Sequence, residues 1–301
     1  MAEETKSAVE LPDILTYKEF RIEDGKLKLR AGYSPTVGHS EHFVEMTGDD
    51  NPIHKEHPKY HETISPGFMQ TSAAIVLINY GIRKLGLNPS DFPFSYTDSE
   101  MKTGVVTGLE YRFEVEISPG PAGELISSVN LAGPQGTAYS LERISYGKKP
   151  DDFFSKIDIQ DFIHAYVFIR ENPLVFGKLI GSESSESNLY AVSASSSVVS
   201  DAVRRNVLNN LEEDVAALYT KQEIYSDTRR SLDLKKGLLL FLFLSGHEKF
   251  GKRSEAGQNL DMKILAMDHR KQVVYLLHAP LAFPRAKILE LQMRKALRSR
   301  S

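Results

Sequence analysis

Two hydrophobic periods alternate along this chain, one helical and one of strand type. Val37 to Met46 reads as a short amphipathic helix, with Thr36 as its N-cap candidate. SPGFMQTSAAIVLINYGIRKLG reads as a longer helix, with Ser65 at the cap, Pro66 in the first turn and Gly86 as the stop. From Phe68 to Ile82 that helix is apolar nearly all the way round, which predicts that the fold encloses it. In VTGLEYRFEVEIS the period changes: Leu109, Tyr111, Phe113, Val115 and Ile117 fall on one face of a half-buried strand. GELISSVNLAG and TAYSLERISYG follow, set off by PGPAG and GPQG turns. The first half is thus a helix followed by antiparallel strands.

YGKKPDDFF, Tyr146 to Phe154, breaks this pattern as a linker does. It separates a first domain, 1–148, from a second, 149–283, and a basic tail occupies 284–301. Past the break the order repeats: an amphipathic piece (IDIQDFIHAYV), an Asn-Pro, a helix, then strands. Asn51 and Asn172 stand 121 residues apart, and so do Gly67 and Asn188, near which the long helices begin. The shared order and offset point to a diverged internal duplication. A helix enclosed by one antiparallel sheet, present twice, suggests two copies paired edge to edge around a shared core. LLLFLFL, apolar on both faces, is expected at the join. The tail PRAKILELQMRKALRSRS reads as a basic amphipathic helix. It suits docking to an acidic carrier protein or to phosphates, or, as the preferred reading, a solvated end helix that packs lightly.

Composition narrows the classes. A length of 301 residues suits two ordinary domains or one large one. With 37 basic and 40 acidic groups there is no charge excess to favour nucleic acid or an acidic membrane as partner. The absence of cysteine removes disulfides, thiolate metal sites and a cysteine nucleophile. MAEETKSAVELPD is polar and acidic, unlike a secretory signal, and the longest apolar run, Leu238 to Leu244, is too short to span a bilayer. The expectation is a soluble, cytoplasmic protein.

The chemistry is concentrated in FVEMTGDDNPIHKEHPKYH, Phe43 to His61. His54, His57 and His61 with Glu56 have the look of metal ligands, but the zinc-protease motif needs histidines four apart on one helix. Here His54 and His57 are three apart, Lys55 follows the first, and Pro58 interrupts. An acid–base reading is stronger. Pro52 fixes its own φ and biases Asn51 to an extended conformation, so a stiff, bent loop can turn Asp49 and His54 towards one point. An Asp and a His converging on one water make a base near neutral pH. The plain alternative is an Asx-turn. Pro66 has no N–H, so the first free donors of the buried helix belong to Gly67 and Phe68. There a substrate oxygen can meet the backbone at the positive end of a helix, unless Gly67 is only a tight turn. A base together with an oxyanion site suits chemistry through an enolate beside a thioester carbonyl.

TGDDNPIH, Thr47 to His54, resembles the Gly-Asp-x-Asn-Pro-x-His signature of the MaoC-like, hydratase-2 type dehydratases at every fixed position. The resemblance covers Phe43 to Ile82 closely and weakens towards residue 147. It implies an α+β double hot-dog fold, in which each half has a long central helix wrapped by an antiparallel sheet. It also implies reversible hydration of trans-2-enoyl thioesters to (R)-3-hydroxyacyl thioesters. The substrate would be carried on coenzyme A or acyl carrier protein, with no metal or redox cofactor. Asp49 and His54 would activate the water, Asn51 would support the loop, and the Gly67 N–H would bind the thioester oxygen. Three features depart from the family: Pro66 replaces the usual His, the link from His54 to Gly67 is short, and Glu56 replaces an aspartate.

At the offset of 121, Asp49 corresponds to Arg170 and His54 to Val175, so FIRENPLV keeps the Asn-Pro and loses the dyad. The second half then looks like a non-catalytic partner. Its helix is small-sided, and Ser193 to Ser197 either leave room for an acyl chain or pack closely. Two other functions fit the residues: an acyl-thioester-binding subunit that needs a partner, and a hot-dog thioesterase. A homodimer of such chains is compatible with the sequence, which does not reveal the carrier-binding residues. Lys102, Arg112 and Arg143 are candidates, though each reads more simply as a solvated charge.

Overall fold

The computed structural model describes residues 13–49, 51–56, 62–147, 154, 157–162, 164–171, 187–206, 217–233, 237–245 and 259–282. The chain opens with a hairpin of β1 (Leu15–Glu23) and β2 (Lys26–Tyr33), which the reading above does not foresee. Its signal is short but physical. Leu27, Leu29, Ala31 and Tyr33 alternate into the core while Lys26, Lys28 and Arg30 stay outside. Asp24 and Gly25 between the strands both take positive φ, as a tight two-residue hairpin requires. Next come α1 (Val37–Thr47) and α2 (Gly67–Lys84), then β3 (Phe94–Met101), β4 (Tyr111–Pro119), β5 (Leu125–Gly133) and β6 (Gly136–Tyr146). The second half runs β7 (His164–Glu171), α3 (Ser187–Asn206), β8 (Leu218–Tyr219), β9 (Lys221–Ser226), α4 (Thr228–Asp233), β10 (Gly237–Ser245), β11 (Asn259–Met267) and β12 (Val273–Ala282).

Among the described residues the strands form one antiparallel sheet in the order β1-β2-β4-β5-β6-β3-β9-β12-β11-β10-β7, with β8 beside β12. Read outwards from the β3–β9 pair, the two halves run through corresponding strands, β3/β9, β6/β12, β5/β11, β4/β10 and β2/β7. This is the topology of two like units joined at their edges. Tyr96 to Glu100 of β3 pair with Tyr225 to Lys221 of β9. The two long helices, α2 and α3, touch each other, and one continuous apolar core draws on both halves. As expected, α2 is enclosed, with nearly every residue from Phe68 to Ile82 buried. Gly81 lets α2 meet the sheet, for a Cβ there would stand 2.8 to 2.9 Å from Leu27, Leu29 and Ile117. Gly86 ends the helix in a left-handed conformation, and Leu87 N–H returns to the Ile82 carbonyl at 3.2 Å.

Four expectations change. Pro66, not Ser65, occupies the N-cap of α2, and Ser65 Oγ instead donates to the side-chain amide oxygen of Gln70 at 2.8 Å. IDIQDFIHAYV, the amphipathic piece that the repeated order sets against the first short helix, forms a 3₁₀ turn and the start of β7, where His164, Ala165 and Val167 lie exposed along an edge strand. LLLFLFL forms most of β10, next to the far edge, while β3 and β9 make the join. Leu240, Leu242 and Leu244 are fully buried, but Leu239 and Phe241 are 42% and 38% exposed, so an apolar outer face here does not mean a covered one. Arg170 is not the structural counterpart of Asp49. It lies on β7, which matches β2, so the offset of 121 does not hold before the helix. Asn172-Pro173, Val175, the boundary at 148 and the tail lie outside the described residues. No helix among those described is long and apolar enough to cross a membrane.

Candidate active site

Gly48 ends α1 at φ +73, where glycine carries no steric penalty, and its N–H closes on the Val44 carbonyl at 2.8 Å. Arg170 reaches across from β7 to the same end, its guanidinium donating to the carbonyls of Glu45, at 3.2 Å, and Met46. A cation there satisfies carbonyls that the helix itself leaves open and sits at its negative end. The loop that leaves this anchored turn carries Asp49. Asn51 follows in an extended conformation, and Pro52–His54 make a single 3₁₀ turn. Ser40 Oγ fixes the turn by donating to the His54 carbonyl at 2.8 Å, and Ile64 N–H holds the Ile53 carbonyl at 2.8 Å.

The Asx-turn and the acid–base pair coexist. Asp49 Oδ1 accepts from Asn51 N–H at 3.1 Å, while Oδ2 lies 3.6 Å from His54 Nε2. His54 Nδ1 is 2.6 Å from the Ile64 carbonyl oxygen, which can only accept. Nδ1 therefore carries a proton, and in the neutral ring this leaves the lone pair on Nε2. Two acceptors at this separation can share one water, each taking one of its hydrogens. Asp49 is 8% exposed, and Asn51 and His54 are 3% exposed. Such shelter strengthens any interaction with a charge that develops there. Asn51 Nδ2 lies 3.5 Å from His54 Nε2 and donates to the carbonyl of Ala217, in the second half.

His54 and Gly67 line one cavity of about 240 Å³. Asp49 and Asn51 border His54 without lining that cavity. Its other walls include Met101, Lys102 and Thr103 from the first half and Leu218, Tyr219 and Thr220 from the second. Of the three candidate basic residues, only Lys102 meets the site. Arg112 stands beside Glu114 at 3.4 Å on an exposed strand face, and Arg143 is exposed on β6 opposite Asp98. His57 and His61 lie outside the described residues. Ser193 to Ser197 are buried in α3, which touches α1 and α2, and they do not line this cavity.

Sequence reasoning misses the whole contribution of residues 217–222. Tyr219 packs edge-on to Phe68, with ring centroids 6.0 Å apart. Burial, and then the charge of Asp49, push its phenol well above the ordinary range, so it remains a neutral hydroxyl beside the dyad. No local pattern marks Leu218 to Gln222, because their place in the site depends on pairing with distant strands.

No family model matches the sequence, and no curated protein does. Solved structures match the shape along most of the chain. One is described as a MaoC-like dehydratase, 10% identical, with a TM-score of 0.51 over 90% of this chain and 98% of that one. Another is described as an oleoyl thioesterase from Lactobacillus plantarum, 6% identical, with a TM-score of 0.53 over 86% of this chain and 97% of that one. The chain has the double hot-dog fold. At such identities the likeness extends to the fold alone, and the two descriptions name different reactions. Which chemistry the double hot-dog performs here must be argued from its own side chains.

Proposed function

We propose that this chain is a hydro-lyase that interconverts trans-2-enoyl and (R)-3-hydroxyacyl thioesters carried on coenzyme A or acyl carrier protein. The observation that carries the reading is the convergence of His54 Nε2 and Asp49 Oδ2, 3.6 Å apart, in a site that also has Gly67 at a helix start. The water held between these acceptors loses a proton to the dyad as its oxygen attacks the β-carbon. Electrons move through the double bond to the thioester oxygen, where the Gly67 N–H and the start of α2 receive the negative charge. The enolate then takes a proton from the dyad at its α-carbon, on the same face, so hydroxyl and hydrogen add without any redox step. Neither a metal nor a redox cofactor enters this scheme. Lys102, 46% exposed at its side chain and lining the cavity, suits the phosphates of the carrier. The first domain, 1–148, supplies the dyad, and the second, 149–283, completes the walls.

Purified protein mixed with short, medium and long trans-2-enoyl-CoAs tests the reading through loss of the conjugated-thioester absorbance. Wild type is expected to consume that signal without releasing thiol, and Asp49→Asn and His54→Ala are each expected to lose about 10²–10⁴ of the rate. Free thiol, read without background because the chain has no cysteine, would instead identify a thioesterase. Binding without turnover, relieved by an added protein, would identify an acyl-thioester-binding subunit. Unchanged rates in both variants would overturn the proposed roles of Asp49 and His54.

A further inference from the structure

Beside Gly67 the second half brings a side chain that the fold does not use. Gln222 faces inward from β9, is 1% exposed, and has no hydrogen-bond partner at either Nε2 or Oε1. Its backbone is well engaged, since its carbonyl accepts from Ser99 Oγ at 3.2 Å, so the strand is fixed and the amide alone is left over. Burying an amide without partners forfeits its hydration with nothing in return, and native interiors rarely tolerate it. The amide lies against the oxyanion glycine: Nε2 is 3.3 Å from the point where a Cβ on Gly67 would stand. Met101 comes nearer still, with Cε 2.8 Å and Sδ 3.5 Å from the same point, and it also lines the cavity. An unbranched thioether swings aside easily, and its movement would open Gly67 and Gln222 together to the cavity.

We propose that Gln222 is a catalytic residue contributed by the second half, whose amide NH₂ donates to the substrate's thioester carbonyl oxygen beside the Gly67 N–H. The inference rests on the thioester reading of this site and adds the second donor that such an oxygen accepts. Pro66 offers no N–H, so the helix start alone supplies few donors to an enolate oxygen with more than one lone pair. Either end of the amide can be turned to the cavity, and the substrate uses the NH₂ end. Met101 covers the pair when no acyl group is bound and yields to the thioester when one enters.

The test uses full-length protein and a chromophoric thioester, 4-dimethylaminocinnamoyl-CoA, whose absorption moves to longer wavelength as its carbonyl is polarised. Gln222→Leu keeps the volume and removes both unpaired atoms, so it is expected to melt no lower than wild type. Binding of the probe is expected to survive with a much smaller red shift. With trans-2-enoyl-CoA, kcat is expected to fall by about 10²–10³, the usual effect of losing one oxyanion donor, while KM changes little. Gln222→Met, flexible and similar in length, replaces the leucine variant if that one fails to fold. A variant that reproduces both the wild-type shift and the wild-type kcat would overturn the assignment of Gln222 and leave the thioester reading standing. If wild type itself binds the probe without any shift, the site does not polarise a thioester carbonyl, and both conclusions fall.

Discussion

The first half of the chain holds Asp49, Asn51, His54 and Gly67 within one loop and one helix start. The second half has Arg170 and Val175 at the positions that the sequence offset pairs with the dyad, yet it has not withdrawn from the site. Arg170 anchors the end of α1, from which the Asp49 loop leaves. The Ala217 carbonyl receives Asn51, Tyr219 stands near Asp49, and Gln222 lies against Gly67. The second half thus serves the first as wall, anchor and donor. The division of labour rests on a few cross-half contacts, and each can be cut separately.

The contact from Asn51 to Ala217 is expected to matter most. Asn51→Ala leaves the Ala217 carbonyl, in a residue 2% exposed, without its donor. Stability should fall by about 1–3 kcal/mol in denaturant unfolding. Turnover of enoyl thioester should fall by about tenfold or more, because the same side chain borders His54 Nε2. A stability loss with turnover unchanged would show that this contact holds the halves together without shaping the dyad.

Arg170→Met comes next. The methionine keeps the aliphatic length and removes the donors to Glu45 and Met46. A loss of about 1–2 kcal/mol is expected, near the low end for hydrogen bonds to a charged group because Arg170 is only half-buried. Turnover should fall by a few fold, since the end of α1 stays bound through Gly48 and Val44. Equal turnover in variant and wild type would separate the anchor from the chemistry.

How much of this was legible in the sequence depends on distance along the chain. Asp49, Asn51 and His54 could be read because Pro52 confines a short loop, so local stereochemistry alone brings them together. The enclosure of α2 and the alternation of β4 could be read because one face of each is apolar and the period declares it. The join could not be read. Ser95, Thr97 and Ser99 of β3 and Gln222 and Ser226 of β9 are inward-facing yet small or polar, so FSYTDSEM and KQEIYS carry no strand-like apolar face. LLLFLFL misled for the converse reason, its outer apolar face being left partly exposed. The contact from Asn51 to Ala217 spans 166 residues and has no signature in either segment.

The smallest expected effect lies at the join itself and depends on pH. On β9, Glu223 stands opposite Asp98 of β3, and Lys221 bridges the two carboxylates at 3.0 and 3.2 Å. His278 Nδ1 adds a contact to Glu223 at 2.8 Å. Burial pushes the Glu223 carboxyl up, but hydrogen bonds from His278 and Lys221 more than offset it, and its pKa ends below the ordinary 4.5. Folded Glu223 thus holds its proton less tightly than the unfolded chain does. The stability this supplies is complete above about 4.5 and drains away as pH falls through the lower folded value. Glu223→Gln should therefore lower the melting temperature modestly at pH 7 and by progressively less as the pH falls below 4.5, so that the acid limb of stability against pH becomes shallower. The effect should be smaller than for Asn51→Ala or Arg170→Met, since the pair is partly solvated and salt screens it. A variant whose melting curve runs parallel to wild type across that range would mean that the join is held by its strand hydrogen bonds alone. The charges across it would then only select which edges meet.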